Sequence, residues 1–168
     1  MMTRVQQACT QIDTTLTEIE TKVQALPRSW LTWRPAVEVW SILDILCHIE
    51  EFIPYWTGQI LAMVHHPDQE WGRTHADPDR LEAVADTDRR ELSDVLASIR
   101  NHADSMRNRL SPLSDETLEI SARSRNPRWE IKPAWFILDH LLVQHVANHS
   151  AQIQRNIDQL VSQTRENQ

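Results

Sequence analysis

With 168 residues the chain can bury one proper core and falls short of two domains of ordinary size, so it reads as a single domain over residues 1–168. Two glycines would starve an all-β protein of turn residues, and a formal charge of −7 with no basic stretch free of nearby acids argues against a nucleic-acid partner. Cys9 and Cys47 make neither a disulfide framework nor a cysteine-rich zinc site, the first residues carry no signal-peptide apolar run, and no membrane-length apolar run occurs, so a reducing cytoplasm is the expected compartment.

In chain order, Val5, Ala8, Cys9, Ile12, Leu16, Ile19, Val23 and Leu26 recur three and four residues apart, which predicts a helix over 3–26 stopped by Pro27. Residues 27–40 hold two prolines and three tryptophans without a clean period and read as an ordered connection. Ser41 followed by Asp44 has the form of a capping box, with Trp40 and Ile45 at the staple positions, so Asp44 is expected to cap a helix and not to bind a ligand. That helix runs to about residue 66 through Pro54, where a bend is expected. Residues 65–76 form a polar crossover loop, and Asp77-Pro78 opens a predicted third helix that continues to Leu110 on Leu81, Val84, Ala85, Leu92, Val95, Leu96, Ile99, Ala103 and Met106. Residues 111–130 read as loop, and Pro133 opens a last helix to about residue 163. Four long helices with long connections predict an all-α four-helix bundle containing at least one overhand crossover.

The chemistry concentrates in His145-x3-His149 of the last helix. Residues four apart sit about 40° apart around a helix and about 6 Å along it, so both imidazoles can address one ion. His48 interrupts the apolar face of the second helix and is the third candidate ligand. Around that helix Phe52, Tyr55 and Gln59 fall within ~40° of His48 and Glu51 within ~60°, as linings of the same cavity. His140 falls on the far side of the last helix, facing solvent or a loop, and His65, His66, His75 and His102 read as solvated. A lone inward histidine is ordinarily a satisfied core residue. Three converging ones leave several ring nitrogens to satisfy, each costing roughly 1–3 kcal/mol if unpaired, and one divalent ion satisfies three at once.

Trp40-Ser41 with His48 seven residues on, and a terminal helix carrying His145-x3-His149 then Gln152-Ile153, resembles the DinB-like superfamily of damage-inducible four-helix bundles, which is distinct from the DNA polymerase of that name. The resemblance covers nearly the whole chain. It implies up-down-down-up connectivity with a long crossover, and a zinc or nickel ion on His48, His145 and His149. It also implies a small-molecule substrate and a low-molecular-weight thiol, because some relatives are thiol-dependent transferases or isomerases. A three-histidine site leaves a coordination position open, the catalytic kind of site, unless Glu51 closes it. The first expectation is therefore a metal-dependent transferase or hydrolase with Tyr55, Glu51 and Gln152 as proton-handling or supporting groups. The second is a non-catalytic stress-response or binding module whose metal is structural. A homodimer is expected from the resemblance and from the number of tryptophans.

Overall fold

The computed structural model describes residues 1–168. Four long helices make the bundle: α1 (Arg4–Val23), α2 (Ile42–His65), α3 (Leu92–Leu110) and α4 (Gln144–Glu166). The expected capping box of Ser41 with Asp44 opens α2, and a second one, Thr3 with Gln6, opens α1. Each satisfies two amides that have no partner inside the helix.

Side-chain pairs give the directions. Asp13 meets Arg107 and Glu20 meets Arg100, so α1 and α3 run antiparallel. Arg4 meets Asp139 ahead of α4, so α1 and the last helix run parallel. His48 and Phe52 face His149 and His145 in reverse order, so α2 and α4 are antiparallel. Asp44 and Glu50 near the start of α2 meet Thr87 and Arg90 just before α3, which makes those two parallel neighbours. The connectivity is up-down-down-up, and parallel neighbours force the connection over residues 66–91 to travel the bundle's length. One continuous core, from Val5 to Ile153, fills the space between the four helices.

Three predicted stretches fold differently. The third helix is broken: a short helix covers Pro78–Glu82, a 3₁₀ turn covers Thr87–Arg89, and α3 begins only at Leu92. Residues 86–91 offer no apolar side chain to a helical face, and their polar groups turn to the α2 start instead. The Thr87 hydroxyl bonds Asp44, whose carboxylate also takes two bonds from Arg34 at 2.9 and 3.0 Å. Burial alone would raise the Asp44 pKa, but the Thr87 hydroxyl, the Ser41 amide and Arg34 hold it below the usual carboxylate range. The expected cap is thus also the anchor of the crossover.

The second difference is a hairpin that begins inside the predicted loop of 111–130 and ends at Pro133. β1 (Ser121–Arg123) pairs antiparallel with β2 (Ile131–Pro133), Ala122 opposite Lys132. Trp71 of the crossover adds a parallel bridge to Ser124, and its indole N–H donates to the Ala122 carbonyl at 2.8 Å. Gly72 follows at φ +82°, where only glycine is unstrained, and its amide reaches Gln59 Oε1 at 2.7 Å. This stitching buries Trp71 and turns Arg73 inward.

Third, the last helix starts with a turn at Ala134–Phe136 and a π-helical stretch at Ile137–Val143 before α4 proper. The Gln144 amide bonds the carbonyl of Asp139, five residues back. Within α2, Pro54 is accommodated without ending the helix. Trp56 and Trp71 are buried and the other five tryptophans half-buried, so a single chain accommodates all seven. No helix is long and apolar enough to cross a membrane.

Candidate metal centre

His48 sits two turns into α2, 2% exposed, among Ile45, Ile49 and Phe52. His145 and His149 sit one turn apart at the start of α4. The ring of His48 lies 5.3 Å from that of His145 and 4.9 Å from that of His149, and one nitrogen from each ring falls within 4.8 Å of the others. Ligands to one zinc, each about 2.0–2.1 Å from it, lie at most about 4.2 Å apart, so small ring rotations suffice to close the set.

The hydrogen bonds determine which nitrogens are available. His149 donates its Nδ1 proton to Gln152 Oε1 at 2.9 Å, and His145 donates its Nδ1 proton to the Leu141 carbonyl at 3.2 Å. Both rings therefore carry the lone pair on Nε2. His149 Nε2 and His48 Nδ1 are buried with no hydrogen-bond partner. Native cores rarely leave such atoms orphaned, and a shared cation satisfies them. Burial, the neighbouring imidazoles and nearby arginine charges push the pKa of His48 down to about 2. Burial and the charge of His149 push His145 down to about 3, and burial lowers His149 as well. All three rings are neutral near pH 7, the form that binds a metal. The donor set fits a divalent metal ion.

His48 and His145 line a cavity of about 320 Å³ that opens beside the exposed Thr74, His75, Arg128 and His140, and His149 packs against both rings, 4.9 and 4.7 Å away, without lining it. Trp56, Arg73, Arg80, Trp129 and Asn148 complete much of its wall. Among the residues expected near the site, Gln152 orients a triad ring directly. Phe52 packs against both His48 and His145, with ring centroids 5.0 and 4.1 Å away. Glu51 is instead engaged by Arg73, both carboxylate oxygens at 2.6 Å, and stands outside the triad's ligand group. Tyr55 and Gln59 line the neighbouring groove with Gly72 and Arg125, because the Arg73 guanidinium stacks on the Tyr55 ring at 3.7 Å and divides the two spaces. Burial pushes the Tyr55 phenol up to about 12 and the Cys47 thiol up to about 11, so neither ionises near neutrality. His140 is exposed and packs on the loop residue Trp129, as expected, yet it reaches the same cavity as His145. The π turn winds more residues into each turn and so swings position 140 back toward 145. Arg73, Arg80, His75 and Trp129 were not legible as site residues, because Arg73, His75 and Trp129 arrive on loops and Arg80 on the short Pro78–Glu82 helix of the crossover; the Trp71-Gly72 pair inside a polar loop was the one signal of a tight, buried turn.

The model of the DinB superfamily matches residues 11–153 of this chain. The chain belongs to the DinB superfamily. Among solved structures, this DinB-superfamily chain is similar to YfiT from Bacillus subtilis, described as a probable metal-dependent hydrolase with an unusual four-helix bundle topology. The TM-score is 0.79 and the identity 14%, over 93% of this chain and 87% of that one. It is also similar to a mycothiol-dependent maleylpyruvate isomerase, with TM-score 0.68 and 10% identity over 91% of this chain. The chain spans 63% of the isomerase's length. At these identities the likeness is one of fold. A comparison with curated protein sequences found no match.

Proposed function

We propose that this DinB-superfamily protein is a metal-dependent enzyme acting on a small molecule, with one zinc or nickel ion held by His48, His145 and His149. The observation that carries the reading is the pair of buried, partnerless ring nitrogens, His48 Nδ1 and His149 Nε2, next to an open cavity that His48 and His145 line. Such an ion supplies Lewis-acid polarisation and activation of a water or a thiol. The chain's own contribution is to fix the ligands: Gln152 and the Leu141 carbonyl hold two tautomers, and Phe52 holds the ring planes. Trp129 and Trp56 give the cavity aromatic walls. The names of the two similar structures support a small substrate, by thiol-dependent transfer or isomerisation or by hydrolysis. A structural ion in a binding module is the second reading, and access from solvent argues against it, since structural zinc sites are typically closed by four protein ligands.

Elemental analysis of untagged protein should find one divalent ion per chain, lost on replacing any of His48, His145 or His149 with Ala. A screen of low-molecular-weight thiols and of hydrolysable esters and amides then seeks the reaction. Absence of stoichiometric metal after purification and after zinc addition would overturn the reading. Cytoplasmic residence and a homodimer are part of this proposal; light scattering at micromolar concentration tests the dimer.

A further inference from the structure

The cavity over the triad has a charge that metal binding does not require. In a chain of net charge −7, its wall carries Arg73, Arg80 and Arg128 and no aspartate or glutamate. The three arginines differ in what holds them. Arg73 is neutralised by Glu51 at 2.6 Å and by Asp77 at 3.3 Å. Arg80 has no carboxylate partner; it donates once, from Nη1 to the His75 carbonyl at 3.1 Å, and lies 5.5 Å over the Trp40 ring. Arg128 stacks on Trp129 at 4.7 Å, and its guanidinium has no hydrogen bond within the chain. Trp56, 6% exposed, lines the same space and buries an indole N–H with no partner. Stacking on an aromatic face fixes a guanidinium plane and leaves its edge free to donate in a fork.

We propose that the cavity recognises a small substrate through a carboxylate held by Arg80 and Arg128 with the Trp56 N–H, while the rest of the molecule reaches the triad. This deepens the proposed function by naming a substrate class, and the grip itself needs no ion. Planar, paired donation suits a carboxylate. Phosphate groups favour a helix N-terminus or a glycine-rich backbone cradle, and the cavity wall has neither. An anion there also relieves two costs in the free protein: an orphaned buried donor, and the unpaired Arg80 charge acting on three buried imidazoles.

The test is binding of succinate, its dimethyl ester and inorganic phosphate to the full chain, metal-free and zinc-loaded, followed by calorimetry and tryptophan fluorescence. Succinate should bind both forms, the ester should not, and phosphate should bind more weakly than succinate. Arg80→Gln and Arg128→Gln should each weaken succinate about tenfold or more, Arg80→Lys less, and Arg155→Gln, on the exposed face of α4, not at all. Equal melting temperatures across these variants show that the fold is intact. Succinate binding that appears only with zinc and ignores Arg80→Gln overturns the arginine grip and leaves the triad reading standing. Phosphate binding as tight as succinate overturns the carboxylate assignment. Zinc failing to bind while succinate still does overturns only the metal reading.

Discussion

Phe52 lies flat on His145, ring centroids 4.1 Å apart and planes within 10° of parallel. One apolar ring of the α2 core thus fixes the plane of a triad imidazole on α4. Phe52→Ala should cost about 3–5 kcal/mol through the cavity it leaves. Phe52→Leu should keep most of the fold but free the His145 ring, lowering zinc affinity about tenfold, a size of effect usual for groups that orient a ligand. Denaturant unfolding and zinc titration of the two variants separate packing from positioning.

Gln152 acts through His149. Gln152→Leu removes the acceptor that fixes the Nδ1–H tautomer, with an expected 10–100-fold loss of zinc affinity and a change in metal-free stability under about 1 kcal/mol. Gln152→Glu should restore binding, because a carboxylate accepts the same proton. Unchanged zinc affinity in Gln152→Leu would remove this role.

The metal-free protein should be acid-sensitive in a defined window. The folded pKa values of His48 and His145, about 2 and about 3, lie well below the unfolded value of 6.5, mainly because burial disfavours the charged rings. Above pH 6.5 neither state is protonated there and the full stability is present. Below it the unfolded chain takes up protons that the folded one refuses, so stability falls as pH drops toward the folded values. Each ring contributes a slope of up to about 1.4 kcal/mol per pH unit. Two such rings approach the whole stability of a typical domain by roughly pH 4. Melting temperatures of metal-free protein from pH 8 to 4 should show this fall, and His48→Leu should flatten it. Stabilisation by added zinc should be large near pH 8 and nearly gone near pH 4.5, and absent at both in His145→Ala.

Glu51 discriminates between two roles. Its carboxylate is paired to Arg73, whose side chain is 6% exposed. Glu51→Gln should cost about 3 kcal/mol by leaving a buried cation half-paired, and should still bind one ion per chain. Loss of stoichiometric zinc in a folded Glu51→Gln protein would return Glu51 to the coordination sphere.

The bundle, the Ser41–Asp44 capping box and the three triad residues were legible in the sequence because they depend on local rules. Ser41 and Asp44 cap α2 by contacts three residues apart, and the apolar spacing that makes a helix also states which face His48, His145 and His149 share. What covers that face was decided only in three dimensions. A crossover that must run the bundle's length brings Trp71 against Ala122, and that single indole hydrogen bond lies 51 residues apart in sequence. Arg73 is turned inward behind it, taking Glu51 and stacking on Tyr55, which a helical wheel of α2 places beside the triad. The three-residue strands β1 and β2 have too little propensity of their own and are stabilised by docking on that crossover. The π turn at Ile137–Val143 likewise obeys packing and not spacing, and it moves His140 into view of the cavity. Periodicity is a property of one element, so it located the three histidines; much of the wall around them comes from the crossover and the hairpin segment, whose placement is set by partners distant in the chain.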